Sequence, residues 1–152
     1  MTRTAHGGFT LVEMLVVLVV MALLVSFSPL LVDRIMPRLR VEAAARELAD
    51  TMRQARGFAI RDNRARFVVI DVGDRVAAIG GGRTRQRIPP DVQVDLVIAG
   101  IEQIDAGAGR IRFFPDGTST GGKVVLTSAE RSLAVVVDWF DGKIRLVDEP
   151  AS

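Results

Sequence analysis

The sequence predicts an α+β protein: one long N-terminal helix, apolar and then amphipathic, followed by short antiparallel strands in two packed sheets. Three observations carry that expectation. Residues 9–32 are apolar with Glu13 the only charge among them. Beyond them, apolar residues recur at three- and four-residue steps as far as Ala59. After Arg64 the period drops to two, and Gly- and Pro-rich turns punctuate the rest.

A helix over residues 9–32 rises roughly 36 Å, against about 30 Å for a hydrocarbon core. The run therefore predicts a membrane span. Residues 33–62 continue it as an amphipathic helix. Val41, Ala44, Ala45, Leu48, Met52, Ala55 and Ala59 share one face, with Phe58 beside them, and Arg40, Glu42, Arg46, Glu47, Asp50 and Arg53 take the other positions. Pro29 and Pro37 interrupt the backbone ladder and predict kinks. Asp62-Asn63 supplies the stop, Asn being suited to a left-handed cap.

Residues 63–152 form the β-rich domain. Strands are expected over 66–72, 75–79, 84–88, 92–98, 110–114, 123–127, 132–139 and 143–147. Gly73-Asp74, Gly80-Gly81-Gly82, Pro89-Pro90, Pro115-Asp116-Gly117, Gly121-Gly122 and Asp141-Gly142 separate them. Asp141-Gly142 between apolar strands is a hairpin signal.

The chain of 152 residues carries a net charge of +2, which suggests nucleic acid until the charges are placed. Residues 61–152 hold 13 basic and 13 acidic groups, so the domain itself is neutral. The excess lies in Arg3 and in residues 33–56, where 6 Arg face 4 acids. Cysteine and tyrosine are absent, and the lone histidine, His6, precedes the apolar run. No catalytic constellation is visible; the reading is of a protein that is not an enzyme and takes no cofactor or metal.

The N-terminal segment is not built like a secretory signal, whose small-residue cleavage site follows its apolar core. Here Gly7-Gly8 precede the core, and the sequence Gly8-Phe9-Thr10-Leu11-Val12-Glu13 joins the two. This resembles type IV pilin-like precursors, the prepilins and pseudopilins. The resemblance implies cleavage after Gly8 by a prepilin peptidase/N-methyltransferase, N-methylation of Phe9, and a role in subunit assembly for Glu13. A carboxylate in a membrane helix costs up to about 3 kcal/mol, so Glu13 needs a partner. Cleavage creates an α-ammonium, and the resemblance pairs Glu13 with that of a neighbouring subunit. Arg3 favours a cytoplasmic leader over residues 1–8, but Arg34, Arg38 and Arg40 follow the span closely, so charge alone leaves orientation open. The resemblance implies a single-pass inner-membrane protein with its C-terminal domain in the periplasm.

A second resemblance lies toward the C-terminus. Residues 110–126 read Arg-Ile-Arg-Phe-Phe-Pro-Asp-Gly-Thr-Ser-Thr-Gly-Gly-Lys-Val-Val-Leu, and residues 135–145 read Val-Val-Val-Asp-Trp-Phe-Asp-Gly-Lys-Ile-Arg. They are similar to the H-type minor pseudopilins of the type II secretion system, a domain family shared with FimT-like minor pilins. The resemblance implies a pilin-like fold and a low-abundance subunit near the tip of a periplasmic pseudopilus. Its implied partners are other minor and major pseudopilins, inner-membrane lipid and the secretion-system assembly platform.

Residues 116–122 offer carboxylate and hydroxyl oxygens but too few carboxylates for calcium, so they read as a turn. Gly80-Gly81-Gly82 is followed by no helix and reads as a flexible break rather than a phosphate loop. Arg83, Arg85 and Arg87 alternate along one strand face, either solvated and paired with Asp91, Asp95, Glu102 and Asp105, or facing an acidic partner. Lys143 and Arg145 sit in a Gly-Lys-Ile-Arg motif of the shape some FimT-like pilins use to capture DNA; domain neutrality and nearby acids oppose DNA as a partner. Phe113-Phe114 and Trp139-Phe140 read as core or sheet-packing rings, the exposed member of each pair being available to a partner subunit.

Overall fold

The structure, a computed structural model, describes residues 10–81, 84–98, 102–104, 107–128 and 131–150, with the side chains of 25–37 outside that description. It divides into two compact units, Met1–Ile35 and Met36–Ser152. One helix, α1, spans Leu11–Arg61 and belongs to both.

In the first unit α1 starts from a cap at Thr10. The Thr10 carbonyl accepts the Met14 N–H at 3.2 Å, and its Oγ1 accepts the Glu13 N–H at 3.3 Å. Thr-x-x-Glu is the spacing of a capping box, which satisfies amides the first turn leaves open. The large apolar side chains described here, Leu11 to Leu24, are exposed. Among the described residues no helix is long and apolar enough to cross a membrane; the second part of the predicted span, 25–32, lies outside the side-chain description. The helical backbone runs on through Pro29 and Pro37.

The second unit contains the packed core. Its strands are β1 Arg66–Asp71, β2 Val76–Ile79, β3 Arg85–Arg87, β4 Gln93–Val97, β5 Ala108–Phe113, β6 Gly122–Ser128, β7 Arg131–Val137 and β8 Ile144–Glu149. They form two antiparallel sheets, ordered β3-β2-β1-β5 and β4-β6-β7-β8. The chain leaves the first sheet after β3, enters the second as β4, returns as β5 and leaves again for β6, so the two sheets interleave along the sequence.

Period-two alternation turns Val68, Ile70, Ile111 and Phe113 of one sheet inward, and Val124, Leu126, Val135 and Val137 of the other. The α1 face from Val41 to Ala59 meets them in a single buried cluster. Edge strand β3 is held from beneath, because buried Gln86 donates through Nε2 to the Ala44 carbonyl at 3.1 Å. The helix ends where Asn63 adopts φ 48°, a left-handed conformation. β1, β2, β3, β4 and β7 are shorter than their patterns; in β2 Arg75 takes φ 55°, delaying the strand to Val76, and in β7 Asp138 leaves to begin a turn.

Candidate functional site

Arg56, near the end of α1, braces one surface of the second unit. Its Nε donates to the Gly117 carbonyl and its Nη2 to the Asp141 carbonyl, both at 3.0 Å. One guanidinium thereby ties the turn after β5 to the turn between β7 and β8, each built around an Asp-Gly pair. Gly117 has φ 88° and Gly142 φ 62°. A Cβ on Gly142 would stand 2.1 Å from the Gly117 oxygen, so the two turns meet backbone to backbone.

Short polar side chains fix each turn locally. Asp116 Oδ1 accepts the Thr118 N–H at 2.9 Å and its hydroxyl at 2.7 Å. Asp138 Oδ1 accepts the Phe140 N–H, and Asp141 Oδ1 the Lys143 N–H, each at 2.9 Å. Ser119 links the turns again: its Oγ donates to the Asp138 carbonyl at 2.8 Å and its N–H to the Trp139 carbonyl at 3.1 Å. Hydrogen bonds from the Thr118 side chain hold the Asp116 carboxyl below its usual range, and those from Lys143 do the same for Asp141.

These turns carry Trp139 and Phe140, which are 70% and 71% exposed and lie edge to face with centroids 5.7 Å apart. The expectation that both pairs of rings pack inside is therefore corrected for this pair. Alternation ends with β7, and the turn geometry presents two successive side chains to solvent. Phe113 is fully buried and Phe114 half-buried.

The basic candidates fall into separate groups. Lys143 pairs with Asp141 at 2.6 Å and Arg145 with Asp138 at 3.1 Å, so the Gly-Lys-Ile-Arg motif is neutralised by its own turn. Arg85 and Arg87 are exposed on edge strand β3, in the other sheet. Two of the acids expected to pair with them are otherwise engaged: Asp91 with Arg40 at 3.0 Å, and buried Glu102 with Arg110 at 2.5 Å and Arg112 at 3.2 Å. Arg83 and Asp105 lie outside the described residues, as do Gly8 and Phe9. Glu13 is exposed in the first turn of α1.

Arg56, Ser119, Gly117 and Gly142 are the residues that sequence reasoning did not single out as a group. The repeated Asp-Gly was a signal for two turns, but not for their contact.

Comparisons with known proteins agree with one another. The family profile of the type II transport protein GspH matches residues 44–142. A profile of the prokaryotic N-terminal methylation motif matches residues 3–28. A type II secretion system protein H of Xanthomonas campestris pv. campestris is 30% identical over 143 residues, 94% of this chain and 84% of that protein. In fold, the chain is similar to the minor pseudopilin EpsH of the Vibrio cholerae type 2 secretion system, with TM-score 0.58 and 13% identity over 72% of this chain and 97% of that one. It is also similar to the type IV minor pilin FimU of Pseudomonas aeruginosa, with TM-score 0.55 and 14% identity over 72% of this chain and 90% of that one. The matched region takes in the buried helix face from Ala44, the first sheet, three of the four strands of the second and the paired turns, and the chain belongs to the type II transport protein GspH family, the H-type minor pseudopilins.

Proposed function

We propose that the chain is built into a short periplasmic pseudopilus near its tip and supports export of folded proteins across the outer membrane. One observation carries the reading: a methylation motif and an H-type domain stand on the same chain. On this reading a prepilin peptidase/N-methyltransferase cuts between Gly8 and Phe9 and methylates the new N-terminus. The apolar run 9–32 holds the subunit in the inner membrane, with its C-terminal domain in the periplasm. Other pseudopilins and the assembly platform are its partners.

Cleavage also creates the charge that Glu13 answers. The Glu13 N–H is engaged by Thr10 while its side chain is exposed, which supports a carboxylate free to meet the α-ammonium of an adjacent subunit. Mass spectrometry of the mature chain is expected to find a methylated Phe9 at the N-terminus; an unmodified start at Met1 would remove the processing argument. Glu13→Gln is expected to insert into the membrane normally but to be lost from assembled pseudopili.

The fold shared with a type IV minor pilin favours a second reading, a filament-priming or DNA-uptake subunit. The ion pairs at Lys143 and Arg145 oppose the DNA role. Salt-dependent duplex binding, abolished by Lys143→Ala with Arg145→Ala, would favour it.

A further inference from the structure

Trp139 is the chain's single tryptophan, and with Phe140 it forms the largest exposed aromatic surface among the described residues. Such rings ordinarily bury about 150–250 Å² each. These two do nothing for the core, yet the turn beneath them is held from several directions. Arg56 grips the Asp141 carbonyl, Ser119 grips the Asp138 and Trp139 carbonyls, and Asp138 caps the Phe140 N–H. Gly142 is pressed against Gly117 from below. Rigid support under exposed rings is what a binding anchor needs, because the ordering cost is met before the partner arrives.

The surroundings identify the partner's chemistry. The two cations beside the rings, Lys143 and Arg145, are each bound to an aspartate of the same turn, so the patch offers no unbalanced charge. A nucleic acid or strongly acidic surface would require free cations there. Two exposed rings over a charge-balanced turn match an uncharged apolar cleft. We propose that Trp139 and Phe140 are a preorganised knob that seats in an uncharged apolar cleft on a neighbouring pilin-like subunit. This rests on the assembly-subunit reading above and adds the surface by which the subunit is held.

The test uses the full chain, in cells that depend on it for secretion. Benzoylphenylalanine replaces Phe140, or Arg85 as an exposed control on the other sheet, and the cells are irradiated. Position 140 is expected to give a discrete adduct with a different chain carrying its own N-terminal methylation motif, at equal yield in low and high salt, and position 85 none. Trp139→Ala is expected to reduce competition for that adduct by about 30-fold, with the thermal midpoint unchanged. No adduct, an adduct only with a second copy, lipid or DNA, or a yield that falls with salt overturns the knob. If Phe9 is still the methylated N-terminus and secretion still needs the chain, only the knob has failed. A start at Met1 with secretion independent of the chain shows instead that the assembly reading itself has failed.

Discussion

Gly142 has the least room of the glycines around the paired turns. Its φ of 62° lies where L side chains are strained, and a Cβ there would meet the Gly117 oxygen at 2.1 Å. Gly81 is the natural control, with φ 74° and nothing within 4 Å of its virtual Cβ. Gly81→Ala is expected to cost about 1 kcal/mol, the backbone penalty alone. Gly142→Ala adds displacement of two turns and is expected to cost about 3 kcal/mol. Urea unfolding checks this, and equal losses at both positions would show that the close approach contributes nothing. Arg56→Met strands two carbonyl oxygens and is expected to cost about 2 kcal/mol. The sequence announced each Asp-Gly turn because turn chemistry is local. It did not announce that Gly117 and Gly142 touch, since no periodicity relates positions in different hairpins.

Among the elements, the buried face of α1 was the most legible. Val41, Ala44, Ala45, Leu48, Met52, Ala55 and Ala59 follow the 3.6-residue repeat, and all are buried. Helical periodicity fixes a face without reference to anything outside the helix. Strand periodicity fixes a face too, but not a neighbour: nothing in the β1 pattern says that β5 lies beside it rather than β3. Trp139 and Phe140 escape the strand pattern for a related reason. Trp139 closes the run expected as strand over 132–139 and Phe140 follows it, whereas hydrogen bonds through Asp138, its N–H to the Lys143 carbonyl and its Oδ1 from the Phe140 N–H, mark where the turn takes over. Helix packing makes a quantitative prediction. Leu48 is fully buried, and Leu48→Ala is expected to cost about 2–5 kcal/mol through the cavity it leaves. Leu39 is 52% exposed on the same helix, and Leu39→Ala is expected to change stability by less than about 0.5 kcal/mol. Comparable losses in thermal or urea unfolding would contradict the core assignment.

For the whole molecule, the net charge matters less than where opposite charges meet. Asp91 accepts a hydrogen bond from Arg40, joining the β3–β4 connection to α1, and Asp62 accepts one from Arg66 at the entry to β1. Asp116 and Asp141 hold the paired turns. All four carboxyls lie below the ordinary value of 3.8: Asp62 chiefly through Arg66, Asp91 through Arg40, Asp116 through Thr118 and Asp141 through Lys143. A carboxyl whose folded value is depressed stabilises the fold above its unfolded value, and that contribution disappears as pH falls through the folded value. These groups are solvent-exposed and screened, so each contribution is small, but they act in the same pH window and at separate places. The thermal midpoint is therefore expected to hold steady from neutral pH down to the region of 3.8 and to fall below it. Asp141→Asn is expected to lower the midpoint near neutrality and to converge with the parent protein in acid, because protonation has by then removed the same charge. A midpoint that rises on acidification below that point, or an Asp141→Asn deficit that persists undiminished there, would mean that these carboxylates do not hold the fold through their charge.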